Sequence, residues 1–253
     1  MPEADLELTD DTLLGGRVRL VQPRRGHRAG TDAVLLAACV DPKPGETVYD
    51  FGSGVGAVGL MVAVRTGASV AFVEKEDMLI GICAANIHHN GLSGRARVIE
   101  ADILARPAAR WAAGLRRESA DVVVTNPPFL VGSRARRSPS ALRAAAHHLP
   151  EGGFERWITT AADVLKPGGR LALIHRADRL EVCLARLARG FGDVAVRPVH
   201  PQADEPAMRI LVTAVKGSRA PLRLLPGLTL HEAGGFTEEA AGVHAGERLL
   251  LPN

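Results

Sequence analysis

The chain has 253 residues, enough to bury a sizeable core in one α/β domain of roughly 200 to 250 residues. Hydrophobic residues make up 46% and charged residues 23%, a balance that excludes disorder and a fibrous repeat, and no apolar run reaches the roughly 18 residues of a membrane span. A formal net charge of +3 is too small to name a nucleic-acid partner without help from its distribution.

In chain order, 13–22 reads as a hairpin, because short runs of β-formers flank Gly15 and Gly16. A helix follows, with Thr31 or Asp32 placed to cap it and Val34, Leu35, Leu36 and Cys39 as its apolar stripe ahead of Pro42. From Glu46 onward short apolar runs alternate with helical patterns, which predicts a mostly parallel sheet with crossover helices. Strands are expected near 46–51, 69–74, 96–101, 120–125 and 170–175, and helices near 55–66, 76–90, 152–166 and 177–190. Lys166-Pro167-Gly168-Gly169 marks the turn into the fifth strand. Runs at 193–199 and 208–216 lack a full helix between them and predict an antiparallel pair at one edge, completing a seven-stranded, Rossmann-like α/β sheet with helices on both faces. The whole reads as a single domain: an extension over 1–44, a core over 45–217, and a weakly patterned tail over 218–253 that packs on one edge.

Cys39, Cys83 and Cys183 are scattered and odd in number, which speaks for core thiols rather than disulfides or zinc. The pairs His88-His89 and His147-His148 cannot converge on one ion from neighbouring helical positions, so no metal is expected. Met1–Asp11 is acidic and polar, unlike a secretory leader, and a cytoplasmic location is expected. Two arginine blocks have no acid inside them: Arg17, Arg19, Arg24, Arg25 and Arg28, then Arg134, Arg136, Arg137 and Arg143. Such blocks can neutralise phosphates, and a solvated loop is the plain alternative.

Ligands of an open parallel sheet bind beyond the carboxyl ends of its strands, so the polar residues there belong together. The first strand ends in Asp50-Phe51-Gly52-Ser53-Gly54-Val55-Gly56, the second in Glu74-Lys75, the third in Asp102-Ile103, and the fourth in Asn126-Pro127-Pro128-Phe129. Gly52, Gly54 and Gly56 make a tight turn that lets a ligand touch backbone N–H groups. Asp50 is placed to hold that turn and receive an ammonium group. Glu74 can accept from both hydroxyls of a ribose, and Asp102 from an adenine amino group, where a surface acid and a helix cap are the plain alternatives. Gly54-x-Gly56-x-x-Gly59 also matches a dinucleotide fingerprint, with Glu74 about 20 residues beyond Gly54. Asp50, Asp102 and the Asn-Pro-Pro-Phe turn have no purpose in hydride transfer, which favours a methyl donor over NAD.

The nitrogen of an aromatic amine or amide is planar and a poor nucleophile, because its lone pair is delocalised. Asn126 through its side-chain oxygen and Pro127 through its carbonyl can each accept one N–H, turning the lone pair toward a methyl group. Two prolines stiffen the turn and bring no competing N–H, and Phe129 can stack on a flat acceptor. A sulfonium donor is already activated, so alignment matters more than a strong base.

Together these segments resemble the amino-methylating class I methyltransferases, which use S-adenosylmethionine and release S-adenosylhomocysteine. His27-Arg28-Ala29-Gly30-Thr31-Asp32-Ala33-Val34-Leu35-Leu36 is similar to the N-terminal signature of bacterial tRNA1(Val) adenine-37 N6-methyltransferases, as are His200-Pro201, Ala207-x-Arg209 and Lys216-Gly-Ser-Arg-Ala-Pro. The resemblance implies that Arg28, Gly30 and Thr31 close over the methionine end of the cofactor, that Asn126 to Phe129 hold adenine, and that tRNA is the partner. Arg24, Arg25, Arg134, Arg136 and Arg137 would then hold its phosphates. Phe129 stands where that group often has Tyr, and the arginine-rich stretch 130–149 does not align with it. A protein-glutamine methyltransferase presents the same amide chemistry, although 45 residues leave no room for the N-terminal helical domain such enzymes carry. A non-catalytic RNA-binding scaffold is a second alternative, against which Asn126 and Glu74 stand intact.

Overall fold

The first element is a hairpin of β1 (Leu8–Leu13) and β2 (Val18–Pro23), seen in a computed structural model that describes residues 7–25, 28–128, 130–131 and 148–252. Strand β1 begins ahead of the expected span because Thr9, Asp10, Asp11 and Thr12 are polar and at most half-buried, so no apolar alternation marks them. Val18 and Leu20 of β2 are fully buried.

What docks this hairpin is a spacing match with helix α3 (Asp77–His89). Asn86 Oδ1 accepts the Val21 N–H at 2.8 Å while its Nδ2 donates to the Val21 carbonyl at 2.8 Å. Asn90, the residue that ends the helix, repeats the pattern on Arg19 at 2.9 and 2.7 Å. Four helical residues rise about 6 Å and two strand residues about 6.6 Å, so amides one helical turn apart can stand in for a neighbouring strand. Asn86 is 0% exposed and also donates to the Val55 carbonyl at 3.0 Å, which joins the hairpin to the loop after β3 (Thr47–Phe51).

Helix α1 (Thr31–Ala38) is buried from Ala33 to Ala38, more fully than a single stripe would require. Its N-cap is Gly30 without a side-chain bond, contrary to the expected Thr31 or Asp32 cap; the Asp32 carboxylate instead accepts from Arg209 Nε at 2.9 Å. The core continues through α2 (Ala57–Thr66), β4 (Ser69–Glu74), α3, β5 (Ala96–Glu100), α4 (Pro107–Ala112) and β6 (Ala120–Thr125). Two-residue strands β7 (Leu130–Val131) and β8 (His148–Leu149) then pair with one another ahead of α5 (Gly153–Val164), β9 (Leu165–Arg176), α6 (Leu180–Leu187), β10 (Phe191–His200) and β11 (Arg209–Lys216). The short α4 has no counterpart among the expected elements.

Strand order is β5-β4-β3-β6-β9-β11-β10, the expected seven strands of a Rossmann-like methyltransferase sheet. The antiparallel pair at one edge is present, and its reversed member, β11, lies between β9 and β10. Lys166 to Gly169 bulge out of β9, with Gly168 at φ 75°, so that pairing with β6 resumes at Arg170. Alternate residues of the central strands feed opposite faces: Val70 and Phe72 pack with α1 and α2, while Ala71 and Val73 join Trp157 and Ile158 of α5. Burial on both faces explains the continuous apolar runs.

The tail does pack on one edge. Strands β12 (Arg223–Leu224) and β13 (Leu228–Thr229) run parallel to β10, extending the sheet to nine strands. A hairpin of β14 (His231–Glu232) and β15 (Gly235–Phe236) leads into α7 (Glu238–Ala245), capped by the Thr237 hydroxyl and packed on α1 through Ala240 and Val243. Arg17 donates to the carbonyls of Ala245 and Gly246 at 2.8 and 2.9 Å, a cation at a helix C-terminus.

Replacing Asn86 with Leu strands the Val21 N–H and two buried carbonyls. Urea unfolding should show a loss of about 2–4 kcal/mol, against less than about 1 kcal/mol for Asn90→Leu, whose partners are open to water.

Candidate active site

Strands β4 and β6 flank β3, and their ends come together. Phe51 lies opposite Val73 on one side and Thr125 on the other, so Asp50, Glu74 and Asn126 arrive at one end of the sheet. The loop after β3 folds back over β4: the N–H groups of Gly52 and Ser53 both donate to the Val73 carbonyl, at 2.9 and 3.1 Å. Gly52, Gly54 and Gly56 hold φ of 67°, 56° and 92°, left-handed values that explain the repeated glycine. Gly59 has a different reason, since a Cβ there would lie 2.4 Å from Phe72 Cε1.

Asp50 is 2% exposed and its Oδ2 accepts the Gly59 N–H at 2.9 Å, so the carboxylate clamps the turn to the first coil of α2. Burial pushes its pKa up to about 7, with Glu74 adding to the shift and the Gly59 N–H opposing it. Glu74 accepts three backbone N–H groups, from Gly54 at 2.9 Å, Lys75 at 2.8 Å and Glu76 at 3.1 Å. A carboxylate offers about four acceptor directions, so capacity for a further donor remains. Asp102 is exposed and its Oδ1 accepts the Leu104 N–H at 2.8 Å in a local turn.

One cleft takes in Asp50, Gly52, Ser53 and Gly54 of the first loop, Glu74 and Lys75 of the second, Asp102 and Ile103 of the third, and Asn126, Pro127 and Pro128 of the fourth. Gly56 supports the loop as N-cap of α2 without lining the cleft. The Asn126 side-chain oxygen is buried and has no hydrogen-bond partner among the described residues. An acceptor left open in this way suits a ligand that brings its own N–H.

The N-terminal residues divide. Gln22 is 3% exposed, its Oε1 accepting the Ala29 N–H at 2.9 Å, and Pro23, Arg25 and Ala29 line the cleft. Arg28, Gly30 and Thr31 are not among its walls. The Arg28 guanidinium is committed to the Thr9 hydroxyl, the Pro23 carbonyl and Asp11, each within 2.9 Å. Arg24 likewise pairs with Glu7 at 3.5 Å and Arg19 with Asp10. Three of the five arginines of the first block are therefore paired with Glu7, Asp10 and Asp11 across the hairpin, a pairing that local charge runs do not reveal. Of its five arginines, only Arg25 lacks a hydrogen-bond or ion-pair partner among the described residues. His27, Phe129, Arg134, Arg136, Arg137 and Arg143 lie outside the described residues.

Sequence reasoning missed the apolar walls of the cleft. Trp157 of α5 lines the cleft beside Leu149 and Pro150, and Met78 and Leu79 of α3 line another side. The apolar stripe Phe154, Trp157, Ile158 and Ala161 marks α5 as a packing helix, and nothing in that period shows that one of its rings faces a ligand.

The methyltransferase small domain description matches residues 28–198. The chain belongs to the methyltransferase small domain family. A methyltransferase of this family takes its methyl group from S-adenosylmethionine. The cleft fits that cofactor by its own chemistry, with a buried acid at Asp50, spare capacity on Glu74, positive-φ glycines and an apolar floor. Among relatives, a tRNA1(Val) (adenine(37)-N6)-methyltransferase of Porphyromonas gingivalis is 33% identical over 159 residues, 61% of this chain and 60% of that protein. One of the same name from Bacteroides thetaiotaomicron is 26% identical over 214 residues, 84% of this chain and 81% of the relative. A crystal structure from Agrobacterium tumefaciens, described as a predicted O-methyltransferase, is 33% identical with TM-score 0.75, covering 88% of this chain and 99% of that one.

Asp50 gives the methyltransferase a pH signature. Its folded pKa of about 7 exceeds the ordinary 3.8, so its favourable contribution is complete below pH 3.8 and is lost as pH rises through 7. Asp50→Asn keeps an acceptor for Gly59 and should be the more stable protein at pH 8, by up to roughly 4 kcal/mol, with the gap closing by pH 4. Denaturant midpoints at the two pH values check this.

Proposed function

We propose that this methyltransferase acts on a planar exocyclic amine, the N6 of an adenine in tRNA of the tRNA1(Val) type. The unpartnered, buried Asn126 oxygen in the wall of the cleft carries the first half of this reading. An amine that donates one N–H to Asn126 and the other to the Pro127 carbonyl has its lone pair turned out of the ring plane, ready to attack. A hydroxyl acceptor has a single hydrogen and no use for two such acceptors. Neither proline carries an N–H that would compete for these oxygens. The proton on the methylated nitrogen leaves to solvent after transfer, so no strong base is required.

S-adenosylmethionine supplies an activated methyl group on a sulfonium when bound. For holding it, Glu74 is placed to accept from ribose hydroxyls, Asp102 and Ile103 to bracket the adenine, and Asp50 with the Gly52 to Gly54 turn to receive the amino-acid end. The chain works as a single unit in which residues up to 44 cover the cofactor site, as the positions of Pro23, Arg25 and Ala29 suggest. Arg28, Gly30 and Thr31 lie outside the cleft wall and would have to move to touch the cofactor.

The tRNA half rests on the names of the relatives and on the arginines that remain open. Arg25 is exposed at the cleft, and Arg156 is exposed on the first turn of α5 next to Trp157; neither has a side-chain partner among the described residues. An adenine in an unpaired loop can be presented to such a site at little cost. No helix among the described residues is long and apolar enough to cross a membrane.

Labelled cofactor incubated with total RNA and with protein, followed by digestion, decides the acceptor: N6-methyladenosine supports the proposal, and methylglutamine replaces it. Asn126→Ala should keep cofactor affinity and lose transfer roughly a hundredfold, as loss of a transition-state hydrogen bond does. Binding to tRNA should weaken steeply between low and moderate salt, with the slope set by the number of phosphates neutralised; a flat salt response would remove the role given to the arginines.

A further inference from the structure

Trp157 reaches past the cleft wall into the framework between two of its loops. Its indole N–H donates to Thr125 Oγ1 at 2.9 Å, and the Thr125 hydroxyl donates onward to the Phe51 carbonyl at 3.0 Å. Thr125 and Phe51 are both 0% exposed and Trp157 is 7% exposed, so neither bond competes with water. The far edge of the same indole lies against Gly52, where an added Cβ would meet Cη2 at 3.0 Å and Cζ2 at 3.1 Å.

The location of this chain is what gives it meaning. Phe51 and Thr125 form the last pair of the β3–β6 ladder, and the residues that follow them are Gly52, which opens the glycine loop, and Asn126. Beyond that pair no backbone ladder ties the two loops together. The threonine hydroxyl uses both its donor and its acceptor capacity here, one toward each side, and the indole clamps the result from above.

We infer that Trp157 and Thr125 are positioning residues, which fix the spacing between the glycine loop on the donor side and Asn126 on the acceptor side. In-line displacement needs reacting atoms within a narrow range of distance and angle, and a misplacement near 1 Å costs about a hundredfold. Loss of the chain should therefore slow transfer while leaving each binding surface able to hold its own ligand. This rests on the proposed function only for the identity of the acceptor; the spacing itself belongs to the protein.

The test compares the full chain with Thr125→Val, Thr125→Ser, Trp157→Phe and the Val/Phe double variant. Three quantities are read: S-adenosylhomocysteine affinity by calorimetry, methyl transfer at saturating cofactor, and amide exchange at Gly52 and Ser53 in the free protein. Thr125→Val, which keeps shape and removes the hydroxyl, should leave affinity within about threefold, slow transfer about tenfold or more, and speed exchange at both amides about tenfold. Thr125→Ser restores the hydroxyl and should recover most of both losses. The double variant should be little worse than Thr125→Val, because both changes break one chain. Wild-type transfer and exchange in Thr125→Val would overturn the inference, as would a serine variant as damaged as the valine one. A loss confined to cofactor affinity would also overturn it, leaving Trp157 as a binding wall. If the wild-type protein methylates no RNA, the adenine reading fails, and the exchange comparison decides the spacing claim alone.

Discussion

Strand β3 is held in register by two parallel neighbours, and the site depends on that constraint. With Phe51 opposite both Val73 and Thr125, the chain leaving β3, the carboxylate ending β4 and the amide following β6 have one small volume to share. The register is hard to slip because each strand is buried on both faces, and a shift by one residue would turn every apolar side chain to the wrong layer. The polar residues at and just past these strand ends, Asp50, Glu74 and Asn126, line the cleft that opens there. Burial there raises the pKa of Asp50, and the charge of the nearby Glu74 adds to the shift.

Accounting for buried polar groups separates scaffold from site. Gln22 is spent on Ala29 and Asp11, Asn86 on Val21 and Val55, and Thr125 on Phe51 and Trp157. Asp50 is engaged by Gly59 and Glu74 by three backbone amides. The oxygen of Asn126 is buried beside the cleft with nothing to accept among the described residues, and the Ser53 hydroxyl in the same cleft is likewise unpartnered. The folded state bears that cost at Asn126, which the amine of the proposed function would relieve. At Asp50 too stability and the proposed function pull in opposite directions, since a neutral side chain would fold better while the proposed contact with an ammonium group calls for a charged one.

Much of this was legible from residue order. The alternation of short apolar runs with helical periods placed the seven strands within a few residues, since parallel strands covered on both sides must be apolar throughout. The polar residues at their ends identified the cleft, because a rule about strand ends converts sequence position into spatial position. The failures share one cause, contacts between distant segments. Strand β1 is polar and gains its place from β2; Arg19, Arg24 and Arg28 of the first arginine block pair with acids across that hairpin; Asp32 serves Arg209 rather than the helix start; and Trp157 faces a loop 105 positions earlier at Gly52. The cap at Gly30 and the short α4 were missed for a simpler reason, the weakness of their local signals.

Donor and acceptor are claimed to lie side by side over the ends of β3, β4 and β6. A crystal structure of the chain with S-adenosylhomocysteine and adenosine monophosphate examines that most directly. The ribose hydroxyls should lie within hydrogen-bond distance of Glu74, and the adenine amino group of the acceptor should reach Asn126 Oδ1 with its N6 pointing at the thioether sulfur. Density that seats the acceptor on any other face of the molecule, or leaves Asn126 Oδ1 without a ligand donor, would contradict the shared cleft.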